Sequence, residues 1–233
     1  GGGIVPGAVV LLAGEPGVGK STLLLDVAAK AAAVARERGD GPVLYVTGEE
    51  SASQVRLRAE RIDALDPGLL LAAETELGAL LGHVEAAGPS LLVVDSVQTI
   101  ASAQVEGSAG GVTQVRAVAG ALIAVAKERN IPVLLVGHVT KDGGIAGPRV
   151  LEHLVDVVTQ FEGDRHARLR LLRAVKNRYG PTDEVGCFDL GERGIVGLAD
   201  PSGLFLSAAR SEVPGTCATV TPVSYTHLTL PTI

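Results

Sequence analysis

Methionine and tryptophan are absent from this 233-residue chain, cysteine occurs twice, and tyrosine and phenylalanine three times each. Each shortage excludes something. Cys187 and Cys217 cannot by themselves build a disulfide framework or a four-ligand zinc site. Reduced thiols in a cytoplasmic setting are the default expectation. With aromatics at 3%, stacking platforms for nucleobases are scarce. No apolar run approaches the ~18–20 residues that cross a bilayer, so no membrane span is expected. No basic start leads into an apolar stretch and a small-residue cleavage site, so no secretory leader is expected. The net charge of -6 argues against a surface given over wholly to nucleic acid, but leaves room for a local basic site. What is present is 46% hydrophobic and 20% charged residues, the balance of a folded globular chain.

Short apolar runs alternate with helical stretches. Val9–Ala13, Val43–Thr47, Leu69–Ala72, Leu91–Asp95 and Pro132–Gly137 read as strands, too short for helices and bounded by turn residues. Helices are predicted over Lys20–Arg38, Ser51–Leu65, Glu76–Ala86 and Gln114–Arg129. The first is stopped by Gly39-Asp40-Gly41-Pro42, and Ser51 with Gln54 reads as a capping box opening the second. Strands apolar on both faces and alternating with helices imply a parallel sheet covered by helices. After Asp156 the rhythm changes. Val157–Glu162 and Leu169–Val175 flank a turn-like Gly163-Asp164-Arg165-His166, and Val185–Leu190 and Gly194–Leu198 continue the antiparallel pattern. The expected fold is therefore α/β: a mostly parallel central sheet flanked by helices, with a C-terminal antiparallel β extension.

Gly14-Glu15-Pro16-Gly17-Val18-Gly19-Lys20-Ser21 satisfies GxxxxGK[ST] between a buried strand and a helix start, where a P-loop must sit. Glycines there let main-chain N–H groups turn inward around phosphate oxygens, and the helix dipole adds partial positive charge. Lys20 would reach the β- and γ-phosphates of a nucleotide. The Ser21 hydroxyl would ligate Mg²⁺, and Thr22 follows it into the first turn. Leu91-Leu92-Val93-Val94-Asp95 is an apolar strand ending in a carboxylate. Asp95 would hold the Mg²⁺ shell from a strand expected next to the P-loop strand. Glu49 and Glu50 follow the second strand, and ligands sit beyond the carboxyl ends of strands in such sheets. At least one of the pair, Glu49 for preference, is a candidate to activate or position water. His138, in Gly137-His138-Val139-Thr140, is a candidate γ-phosphate sensor at the same edge.

The order of these motifs resembles the RecA-like ATPase superfamily of P-loop NTPases. Further segments resemble the RadA (Sms) family of bacterial DNA repair proteins: GGGIVPG at 1–7, YVTGEES at 45–51, DSVQT at 95–99, AGPRVLEHLVD at 146–156 and Lys176-Asn177-Arg178-Tyr179-Gly180. The resemblance covers about residues 1–210. It implies an ATP hydrolase in a homo-hexamer that moves on single-stranded or branched DNA and promotes branch migration, with a recombinase as a further partner. It also implies that Arg178, with Lys176, serves as an arginine finger for a neighbouring protomer. RadA proteins carry an N-terminal four-Cys zinc finger, whereas this chain has no CxxC, so no zinc is expected here. The boundaries expected are a RecA-like core over 1–200, a linker toward a Lon-like domain over 201–222, and a foreign-looking tail over 223–233. The missing methionine fits a core cut from a longer chain. A KaiC-like or RecA-like nucleotide-gated assembly is the alternative.

Residues 141–180 hold eight Lys and Arg against five Asp and Glu, so positive charge is concentrated there. Lys141 and Arg149, at the ends of a Gly-rich loop, are candidate contacts to the DNA backbone, and Ser102–Gln114 is a second candidate loop.

Overall fold

The computed structural model describes residues 3–139, 148–164 and 167–199. The chain divides into a compact unit, Gly1–Leu198, and a second, Ala199–Ile233; every element below lies in the first. The linker and tail expected over 201–233 lie outside the described residues, as does Lys141.

The strands are β1 (Val9–Gly14), β2 (Val43–Thr47), β3 (Leu69–Ala73), β4 (Leu91–Asp95), β5 (Val133–His138), β6 (Val157–Glu162), β7 (Leu169–Asn177), β8 (Val185–Gly191) and β9 (Gly194–Leu198). The helices are α1 (Lys20–Arg38), α2 (Ala52–Arg61), α3 (Leu77–Ala87) and α4 (Val112–Arg129). The nine strands of the described residues form one sheet in the order β3-β2-β4-β5-β1-β6-β7-β8-β9. Pairing is parallel from β3 through β6 and antiparallel from β6 through β9. The α/β core with an antiparallel extension is thus present as expected. One expectation is corrected: β4, which carries Asp95, is not next to β1, because β5 lies between them.

The strand period of two sorts the core into two compartments. Val9, Leu11, Leu44, Val46, Leu92, Val94, Val133 and Leu135 pack beneath α3 and α4. Leu12, Val43, Tyr45, Leu91, Val93, Leu134 and Val136 pack beneath α1 and α2. Local signals set the helix ends. At α1 the left-handed Gly39 (φ 75°) donates back to Ala35 and Arg36. At α2 the capping box is formed in full by Ser51 and Gln54. This helix ends at Arg61 and not at Leu65. Asp63 turns left-handed (φ 54°), Ala64 N–H closes on the Ala59 carbonyl at 2.8 Å, and Leu65 is 53% exposed, with little to gain from a further turn.

The sheet places two groups of residues at opposite edges. The parallel strands end together: Gly14 pairs with His138 and Thr47 with Asp95. β7 returns antiparallel, so Asn177 lies beside Val157 at the far edge. There Asp156, almost fully buried, accepts from Val9 N–H at 3.0 Å, Lys127 Nζ at 2.7 Å and Arg178 Nη1 at 3.0 Å. Six strand residues at ~3.3 Å each separate this anchor from the P-loop by roughly 20 Å.

Burial pushes the Asp156 carboxyl up, but bonds from Lys127 and Val9, with the charges of Lys127 and Arg178, outweigh it, and the net shift is downward. A carboxylate depressed on folding stabilises the fold above its ordinary value of 3.8, and that stability is lost as pH falls through the lower folded value. Asp156→Asn is therefore expected to cost about 1–3 kcal/mol at pH 7 by urea unfolding, a difference that narrows below about pH 4.

Candidate active site

The P-loop is built by denying α1 the usual ways of closing its own N-terminus. Its cap position is Gly19, left-handed at φ 105°, which offers no side-chain bond, and the first turn holds no acidic residue. Main-chain N–H groups at a helix start lack partners within the helix. Here no side chain of the cap takes them, which leaves them for phosphate oxygens. Gly17 is also left-handed (φ 80°). A Cβ on Gly14 would stand 2.5 Å from the Phe161 carbonyl, so only glycine lets β1 turn this close to β6. This donor set fits a nucleotide's phosphates.

Lys20, 3% exposed, donates from Nζ to the carbonyls of Gly14 and Glu15, both at 2.8 Å. Burial brings its pKa from 10.5 down to about 8, against the opposing pull of Asp95, Glu49 and Glu15. Those three carboxylates therefore share one site with Lys20. Asp95, 6% exposed, accepts the Tyr45 hydroxyl at 2.6 Å. Burial and the Asp95 charge hold the Tyr45 hydroxyl well above its ordinary pKa, so it remains a donor. Tyr45 was not singled out from sequence. The available signal was a tyrosine inside an otherwise aliphatic buried strand, because a buried hydroxyl requires a partner.

Glu49 and Glu50 part company. Glu49 Oε1 accepts from Ser96 Oγ at 2.9 Å and lies 2.9 Å from His138 Nε2, so the ends of β2, β4 and β5 meet at one carboxylate. Glu50 is turned toward α2 and pairs with Arg58. The His138 carbonyl accepts from Gln98 Nε2 at 3.3 Å, while His138 Nδ1 is buried without a hydrogen-bond partner among the described residues. The Ser102–Gln114 loop is organised by a residue not marked from sequence for that job. Gln114, 2% exposed, accepts from Ser102 N–H at 2.8 Å and donates to the carbonyls of Ser102 and Gly107 at 3.1 and 3.2 Å.

The basic stretch of 141–180 is not an open basic face over its described part. Arg168 pairs with Asp189, Arg173 lies 3.6 Å from Glu162, and Arg178 pairs with Asp156. Lys176 donates to the carbonyls of Glu152 and Val155, both at 2.7 Å. Arg170 donates to four carbonyls. Arg149 is exposed, in a 3-10 turn over Pro148–Val150. Arg178 stays half-exposed at the edge opposite its own P-loop, with Lys176 beside it.

The AAA domain family matches residues 1–144. The chain belongs to that family. Among curated relatives of this AAA-family chain, the DNA repair protein RadA of Mycobacterium tuberculosis (strain ATCC 25618 / H37Rv) is 56% identical over 223 residues, covering 95% of this chain and 45% of the relative. The DNA repair protein RadA of Streptococcus pneumoniae is 48% identical over 221 residues, covering 95% and 51%. The chain spans about half the length of the curated relatives it matches. The resemblance to RadA proteins read from the motifs therefore holds across nearly the whole chain. Among solved structures, the crystal structure of the RadB recombinase matches with a TM-score of 0.59 at 22% identity, over 83% of this chain and 92% of that one. That match shows a shared fold. Among the described residues no helix is long and apolar enough to cross a membrane.

The Lys20 shift has a consequence for ligand binding. Below pH 8 the free AAA-family chain already carries the Lys20 proton, and a bound phosphate changes nothing. Between about 8 and 10.5 the free chain has released it, and a phosphate must draw it back. Nucleotide affinity is expected to be flat below pH 8 and to fall above it, approaching about tenfold per pH unit. Calorimetric titration in two buffers of different ionisation enthalpy should register uptake of one proton above pH 8 and none at pH 7.

Proposed function

We propose that the chain is the ATPase core of a RadA-type DNA repair protein, a cytoplasmic, DNA-dependent ATP hydrolase that works as a homo-hexamer on single-stranded or branched DNA. The observation that carries the enzymatic part is the meeting of Glu49 with Ser96 and His138 at the edge that holds Lys20 and Asp95. Phosphoryl transfer asks a protein mainly for positioning and charge. The residues at this edge are of the types that supply both.

The P-loop, Gly14 to Thr22, holds the phosphates through its N–H groups, and Lys20 moves from the loop carbonyls to the β- and γ-oxygens. Ser21 and Asp95 would hold Mg²⁺, which would supply positive charge to those oxygens. Tyr45 fixes one Asp95 oxygen and would leave the other for the metal. Glu49 accepts a proton from, or orients, the attacking water. Ser96 and His138 hold its carboxylate in place, and His138 responds to the γ-phosphate. Glu50, tied to Arg58, supports the start of α2 and takes no part in the chemistry.

Arg178 cannot reach its own P-loop across roughly 20 Å of strand. Its half-exposed guanidinium suits a neighbour's γ-phosphate instead, with Lys176 supporting the segment from below. The relatives' names, DNA repair protein RadA, support a role in repair; recombination, with translocation and branch migration as the work done, is the fuller proposal. A recombinase is the proposed partner. The DNA contacts proposed are Lys141 and Arg149, with the Ser102–Gln114 loop as a second candidate. Backbone contacts repeated around a ring would multiply a weak site in an acidic protomer.

Glu49→Gln is expected to lower kcat by about 10²–10⁴ with ADP affinity unchanged, whereas Glu50→Gln should leave kcat within a few-fold. Turnover measured with and without single-stranded DNA on the assembled protein tests the motor reading; a hexamer indifferent to DNA would sink it. Arg178→Ala should bind ATP and fail to hydrolyse it. Mixing it with Lys20→Ala should restore activity, and mixed rings that stay inactive would show that the finger does not act in trans.

A further inference from the structure

Arg170 is 3% exposed, and its side chain reaches from β7 across the sheet to the P-loop. A buried guanidinium is tolerated only when its N–H groups are bonded. Nε donates to the Val18 carbonyl at 2.8 Å. Nη1 donates to the carbonyls of Asp164, Ala167 and Leu169, at 3.0, 2.6 and 2.9 Å. One side chain thus ties the connection between β6 and β7 to the middle of the phosphate loop.

The Val18 bond has a directional consequence. The peptide joining Val18 to Gly19 is planar and trans, so its C=O and N–H point opposite ways. Holding the carbonyl toward β7 turns the Gly19 N–H away from β7 and fixes its direction. Gly19 needs this help, since its left-handed backbone carries no side chain to anchor it. Its Cα is backed instead by Leu190 of β8 and Ile195 of β9, 3.5 and 3.6 Å from where a Cβ would stand. Gly163 completes the arrangement. A Cβ there would overlap Arg170 Cδ and stand 2.9 Å from Nη1, so the position admits the guanidinium only as glycine.

We propose that Arg170 is a positioning residue of the phosphate site: by holding the Val18 carbonyl it sets the Gly19 N–H for phosphate, and it makes phosphate affinity depend on the antiparallel extension. This rests on the nucleotide-site reading above. Arg170 touches no reacting atom.

The test uses the full chain and two probes, a fluorescent ADP and Mg²⁺-pyrophosphate as its competitor. Pyrophosphate carries only what the loop reads, so a fold-wide loss of stability alone would not weaken it in a protein that is still folded. Arg170→Lys and Gly163→Ala are each expected to lower both affinities about tenfold or more, by a common factor, in protein whose melting shows it folded. Folded variants that bind both probes within twofold of wild type overturn the proposal. A wild-type chain that binds neither probe overturns the nucleotide-site reading itself, and this proposal with it. A third measurement needs no variant: the ¹⁵N resonance of Arg170 Nε should shift when wild-type protein binds pyrophosphate, because its acceptor belongs to the loop. A resonance that stays in place counts against the proposal.

Discussion

The N–H groups that open α1 have no partner inside the helix, and much of the molecule is arranged around leaving them unpartnered. A serine or aspartate at the cap would take one of them for itself. The chain puts a left-handed glycine there and keeps acids out of the first turn. The loop that results is tied from within by Lys20, which bonds the carbonyls of Gly14 and Glu15. It is held from outside by β6 against Gly14, by Arg170 at Val18, and by Leu190 and Ile195 behind Gly19. The antiparallel extension, which reads as an appendage, is therefore part of the phosphate site's support.

Charge follows the same economy. Lys20 is buried among carboxylates that only partly offset its desolvation, so it is under-stabilised until an anion arrives. Asp95 is prepared from the other side, with one oxygen already committed to Tyr45. At the far edge the opposite holds. Asp156 is satisfied by three donors and gives Arg178 a resting place. One edge of the sheet is built with unmet electrostatic demand, and the other with demand met inside the chain.

Most of this fold was legible in the sequence because strand burial and helix periodicity are local signals. The predicted strands match the observed ones to within a residue or two, and the Ser51–Gln54 box formed where expected. The P-loop and Asp95 were legible because their residue types and spacing are dictated by phosphate geometry. Pairing order was not, so β5 between β1 and β4 came as a correction. Nor were long-range polar contacts legible. Nothing near Arg170 in sequence says that it reaches Val18, which is 152 positions away. Nothing separates Glu49 from Glu50 until Arg58, one helix later, claims the second. Counting charges along 141–180 suggested a basic surface. Folding pairs most of the described cations with carbonyls and carboxylates.

The sheet is also a partition. Its two faces carry separate sets of packed side chains, with Leu11 and Leu12, adjacent in sequence, facing different compartments. Substitutions that alter volume beneath α3 and α4 cannot be accommodated by shifts beneath α1 and α2, because a hydrogen-bonded layer stands between them. Energetic effects should add across the layer and couple within each side. Drift in one compartment is thus insulated from the other, so the side that packs against α1 and the phosphate loop can stay fixed while the opposite side changes.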